Sequence, residues 1–106
     1  MITTKTMTLA AHYSDLPVRT GYAVTINDID IALFKVTNGK VYAIENRSPH
    51  PKGGVLTEGL VSGEYVYCPV YDWKISLVDG RVQAPDVGQV KTFQVEVEGD
   101  NVYIII

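Results

Sequence analysis

A chain of 106 residues with 46% hydrophobic and 20% charged side chains has the size and balance of one globular domain, not of a disordered segment. Its net charge of -3, with Lys and Arg scattered singly, offers no basic stripe to a phosphate backbone, so nucleic acid is not an expected partner. No apolar run approaches the roughly 20 residues of a membrane helix, and residues 1–9 lack the apolar core of a signal peptide, so neither membrane nor secretion is expected. In chain order, residues 8–15 (TLAAHYSD) read as a helical turn or two that stops before Leu16-Pro17. Strands are expected near 21–27 and 29–36, split by Asn27-Asp28, and at 40–45 after Asn38-Gly39, a strong hairpin signal. Further strands are expected at 64–68, 73–78 and 81–84, the last two divided by Asp79-Gly80. The segment 90–97 alternates, with Phe93, Val95 and Val97 against Gln94, Glu96 and Glu98, and predicts a strand with one wet face. The final strand, 101–105, follows Gly99-Asp100-Asn101 and is apolar enough to be read as a core or edge strand. Seven Tyr and many Val and Ile favour strands throughout. The expected class is all-β, a small antiparallel barrel or sandwich, with residues 1–106 forming a single domain.

Two loops carry the chemistry-bearing residues. The first is Asn46-Arg47-Ser48-Pro49-His50-Pro51-Lys52-Gly53-Gly54, and the second is Cys68-Pro69-Val70-Tyr71-Asp72-Trp73. Each follows an expected strand and each is stiffened by proline, a common way to mount a site on a β scaffold. Their potential donors fall in the order S-x-H-x17-C-x-x-Y. Cys68 is the only cysteine, so no intrachain disulfide can form, which fits a reducing cytoplasm.

With Cys in place of Ser48 and His in place of Tyr71, this spacing is the Rieske pattern, in which two Cys hold one iron and two His the other. Residues 43–85 resemble a Rieske domain, and the flanking residues agree: Asn46-Arg47, Pro49, Gly53, Leu56, Gly59, Cys68-Pro69, Trp73, Leu77 and Asp79-Gly80. The resemblance extends to Asp15-Leu16-Pro17 and the later strands, and so covers nearly the whole chain. It implies a Rieske-like fold in which 43–85 is a cluster-binding-type subdomain. Ser48, His50, Cys68 and Tyr71 would be its vestigial cluster positions. Only His50 and Cys68 keep the ligand type, and hydroxyl donors suit sulfide-bridged iron poorly, so no 2Fe–2S cluster is expected here.

As a whole the sequence is similar to the small subunits of assimilatory NAD(P)H-dependent nitrite reductase, on length and on the segments SPHPKGGVLTEGL and CPVYDWKI. Some members of that group lack the cluster ligands. The resemblance implies a cytoplasmic accessory subunit, without a cofactor or catalytic residue of its own. Its partner would be a large subunit carrying FAD, a 4Fe–4S cluster and sirohaem, which reduces nitrite to ammonium with NAD(P)H. Two other readings stand beside it: a Rieske-type ferredoxin with non-standard ligands, and a cofactor-free binding module.

Residue by residue, the plainer chemistry is favoured. His50 reads as a loop imidazole that hydrogen-bonds or faces a partner, because two ligands rarely make a closed metal site. Cys68 reads as a small buried hydrophobe. Ser48 and Tyr71 are expected to hydrogen-bond each other or the loop backbones, holding the loops together in place of iron. Trp73 is expected to pack under the second loop. Arg47, Pro49, Pro51, Lys52, Val70 and Lys74 are the interface candidates, with Arg47, Lys52 and Lys74 gathered near the loop end.

Overall fold

The computed structural model describes residues 6–48, 54–69 and 72–106. Nine strands run β1 (Met7–His12), β2 (Gly21–Ile26), β3 (Ile29–Lys35), β4 (Val41–Glu45), β5 (Leu60–Ser62), β6 (Tyr65–Tyr67), β7 (Lys74–Ser76), β8 (Thr92–Glu98) and β9 (Asn101–Ile105). Six of them form an antiparallel sheet in the order β1-β9-β8-β4-β3-β2, which curls into a nearly closed barrel. The other three form the meander β5-β6-β7, inserted in the chain between β4 and β8. Short 3-10 turns at Tyr13–Asp15 and Leu56–Glu58 are the helical elements among the described residues.

The hairpins sit where the turn residues place them. Asn27 and Asp28 take φ of 53° and 63°, the twist-matched conformation of a two-residue turn, and join β2 to β3 in full register from Gly21↔Phe34 to Ile26↔Ile29. Between β3 and β4, the Val36 carbonyl accepts the Gly39 N–H at 2.9 Å, and the Asn38 side chain accepts the Lys40 N–H at 3.0 Å. The sequence IALF in β3 is buried on both faces: Ile31 and Leu33 point into the barrel with Val41, Ala43, Val102 and Ile104, while Ala32 and Phe34 point the other way. That second face meets Ile44, Leu56, Val66, Cys68, Ile75 and Leu77. A strand covered on both sides reads as a continuous apolar run rather than an alternating one.

Three expectations are corrected. Residues 8–15 are helical only in their last three: Met7–His12 is a strand paired with β9, with a bulge between Leu9 and Ala11, and a single 3-10 turn, Tyr13–Asp15, follows. Pairing with a distant strand outweighs the weak local helical preference of an Ala-Ala pair. Asp100, from the β8–β9 hairpin, fastens that turn: its carboxylate accepts the Ser14 N–H at 2.8 Å and the Ser14 hydroxyl at 3.0 Å. Residues 81–84 do not form a strand. The Arg81 carbonyl accepts from Ser76 and the Gln83 N–H donates to Lys74, which gives a single antiparallel bridge to β7 at Ile75↔Val82, while the Val82 N–H turns to Gly88, so only isolated bridges form. Finally, β5 is a strand that the sequence reading does not contain; it is three residues long and its Leu60 faces solvent. The last strand, β9, is interior to the sheet, paired on one side with β1 and on the other with β8.

Candidate functional site

The first loop leaves β4 along a backbone that is already fixed. The Asn46 N–H donates to the Asp30 carbonyl at 2.9 Å, and the Asn46 side chain accepts the Thr57 N–H at 3.0 Å. This ties the loop's start to the Leu56–Glu58 turn, which is anchored by fully buried Leu56. The turn in turn rests on the barrel at Gly21, where a Cβ would lie 2.4 Å from the Thr57 Cα, so only glycine fits that approach. The Ser48 N–H donates to the Gly54 carbonyl at 2.9 Å and closes the stem of the loop.

The second loop is closed in the same way, by the Cys68 N–H donating to the Trp73 carbonyl at 2.8 Å. Asp72 lies in the left-handed region at φ 52° just before the chain re-enters β7. Trp73 is half-buried and packs on the core that lies between the barrel and the small sheet. Cys68 is part of that core and wholly buried.

The two stems meet through side chains. The Cys68 thiol donates to the Ser48 hydroxyl oxygen across 2.9 Å, with Ser48 4% and Cys68 0% exposed. Of the four expected donors, then, Ser48 and Cys68 are brought together. His50 and Tyr71 lie outside the described residues, as do Pro49, Pro51, Lys52 and Val70. Among the described residues no group of three or more His, Cys, Asp or Glu side chains is placed to hold a metal ion.

Of the three cations expected near the loop end, Arg47 and Lys74 are among the described residues and Lys52 is not. Arg47 is exposed and lines a cavity of about 520 Å³ with Asp28, Asp30, Glu45 and Val55. Lys74 lies on the outer face of the small sheet, its ammonium 4.3 Å from the centre of the Tyr65 ring and 6.0 Å from that of Tyr67. A further link was not legible in the sequence. The Tyr42 hydroxyl, on β4, donates a short hydrogen bond to the Glu64 carboxylate at the β5–β6 turn. That bond, followed by burial and the carboxylate's charge, pushes the Tyr42 phenol up to about 12. Neither this link nor the Asn46–Thr57 pair has a local sequence signal; both arise from packing of the insert on the barrel.

Residues 7–105 match the family model of the Rieske-like [2Fe-2S] domain. This chain belongs to the Rieske-like [2Fe-2S] domain family. The nearly closed antiparallel barrel carrying a small second sheet and two loops is the Rieske-like fold. The ferredoxin component of the naphthalene 1,2-dioxygenase system of Pseudomonas aeruginosa is 29% identical over 91 residues, covering 85% of this chain and 86% of that protein. The nitrite reductase [NAD(P)H] large subunit of Klebsiella oxytoca is 32% identical over 93 residues, which span 84% of this chain but only 10% of that protein. A solved structure described as an NADPH nitrite reductase small subunit superposes with a TM-score of 0.85 at 28% identity, covering 95% of this chain and 99% of the other. The Rieske-like chain is thus similar both to a dioxygenase ferredoxin and to nitrite reductase components.

Proposed function

We propose that this Rieske-like chain is the small accessory subunit of a cytoplasmic, assimilatory NAD(P)H-dependent nitrite reductase, that it carries no 2Fe–2S cluster of its own, and that it acts by docking on the large subunit. Residues 1–106 would form one domain in which 43–85 presents the two loops. The observation that carries the cofactor-free part is the buried Ser48–Cys68 hydrogen bond. Two donors that share one tetrahedral metal, at bond lengths of roughly 2.0 Å to oxygen and 2.3 Å to sulfur, stand about 3.5 Å apart. Here oxygen and sulfur are 2.9 Å apart and face each other as donor and acceptor. A hydroxyl is also a poor ligand for sulfide-bridged iron, which takes thiolate and imidazole. Both points support a site without a cluster, in which the hydrogen bond joins the two loop stems. The nitrite reductase part is supported by the likeness to the small-subunit structure over nearly the whole of both chains.

A second reading, a Rieske-type ferredoxin with unusual ligands, is favoured by the dioxygenase ferredoxin of almost the same length. Protein purified anaerobically from iron-replete cells separates the two. A colourless sample without stoichiometric iron and sulfide, which binds the large subunit in a pull-down, is expected. A brown sample with bound iron and charge-transfer bands would establish the ferredoxin reading. The vestigial frame has its own check. Ser48→Cys combined with Tyr71→His restores the four-ligand spacing, and the double variant is expected to take up iron and sulfide that the parent does not.

A further inference from the structure

One face of the barrel departs from the usual arrangement of a solvated sheet. Inward from β9 point Val102 and Ile104, both fully buried. Alternation then sends Tyr103 and Ile105 outward. Across the sheet their register partners on β1 are Leu9 and Met7, respectively 50% and 43% exposed. Four large apolar or aromatic side chains thus adjoin on the outer surface, where polar residues are the rule. On β8, the neighbour on the other side, the outward residues obey the rule: Glu96 stands opposite Tyr103, and Glu98 follows one row on.

We infer that this face is a second docking surface, built for a protein surface with an apolar centre bordered by lysine or arginine. The occupant is set by charge. Glu96 and Glu98 are exposed, and among the described residues neither has an ion-pair partner. At one corner of the face, Lys91 adjoins Ile105 and leans over the Phe93 ring at 5.4 Å. At the end of β1, His12 faces Asp100 at 3.9 Å. A partner with a basic border would satisfy the two glutamates as it covers the tyrosine and the aliphatic side chains. In position the surface is distinct from the two loops, so both can be occupied in one complex. The inference rests on the accessory-subunit reading, and the partner it names is the large subunit.

The test is titration of the purified large subunit with this chain and three double variants: Leu9→Ser/Tyr103→Ser on the face, Glu96→Lys/Glu98→Lys on its flank, and Arg47→Glu/Lys74→Glu on the loop side. Circular dichroism and the emission of the single tryptophan check that each is folded, and the flank variant, being a surface charge change, keeps the test open if the face variant unfolds. The face variant is expected to bind about tenfold more weakly or worse, because tyrosine is a frequent interface anchor. Charge reversal on the flank is expected to weaken binding as well, and the affinity of the parent is expected to fall with added salt. Unchanged binding by the folded face and flank variants would overturn the inference and leave the accessory-subunit reading in place. Failure of the parent chain to bind the large subunit would overturn both. Self-association of the parent in sedimentation velocity, abolished by the face variant, would assign the surface to a second copy and overturn the choice of partner.

Discussion

A thiol is a weak hydrogen-bond donor, yet Cys68 sits in a core with the Ser48 oxygen as its acceptor. Ser48→Ala leaves that thiol without this acceptor in a buried site and removes a bond between loops 20 residues apart. The expected cost is about 1 kcal/mol, read as a lowered denaturant midpoint with an unchanged slope; an unchanged midpoint would deny the bond any role in joining the loops. Tyr42 gives a prediction in pH. Its phenol is held protonated by Glu64, with a titration raised from 10.0 to about 12. A group whose folded pKa is raised contributes its stability in full below the unfolded value and loses it as pH climbs through the folded one. The stability difference between the parent and Tyr42→Phe is therefore expected to be constant up to about pH 10 and to shrink from there toward pH 12. Denaturant unfolding at stepped pH measures it, and a difference that stays flat across this range would remove the Glu64 bond as the cause.

At the scale of elements, the Leu56–Glu58 turn couples the first loop to the barrel, and Gly21 is where that coupling is tightest. A methyl group at 21 meets the Thr57 backbone, which cannot rotate away as a side chain could. Gly21→Ala is expected to destabilise by about 1–3 kcal/mol, the usual cost of overpacking, with the amides of the Asn46–Thr57 contact showing the largest hydrogen-exchange increase. Parental stability and exchange in the variant would mean that the turn is free to shift. The same elements show what a sequence does and does not declare. The hairpins at Asn27-Asp28 and Asn38-Gly39 were legible because turn chemistry is local. Strand β1 was not, because its conformation comes from backbone pairing with β9 at the other end of the chain. Strand β5 was not, because three residues with an exposed leucine carry no period. In the site, the positions of Ser48 and Cys68 could be read from spacing, since each follows closely on a strand. Their mutual bond, and the Tyr42–Glu64 and Asn46–Thr57 links, depend on how the insert folds back, which no local pattern encodes.

For the whole molecule, the decisive element is β3, which belongs to two cores at once. Leu33 fills the barrel, while its neighbours Ala32 and Phe34 fill the space under the small sheet where Trp73 packs. Leu33→Ala is expected to cost about 2–5 kcal/mol. Although the cavity opens in the barrel, Trp73 emission on the far side of β3 is expected to report the same shifted transition as far-UV circular dichroism. Two separated transitions would mean that the barrel and the small sheet unfold independently.

The double burial of β3 also has a consequence for biosynthesis. On the ribosome, the hairpin of β3 and β4 emerges with both apolar faces bare. One face is covered when the small meander follows; the other can meet Leu16 and Ile26, already made, but its enclosure waits for Val102 and Ile104 of β9, the last strand of the sheet to be made. During that interval the nascent chain exposes an Ile-Ala-Leu-Phe strand of the kind that pairs indiscriminately. Yield in cells is thus expected to depend on chaperones that hold this segment until translation reaches the strands that enclose it.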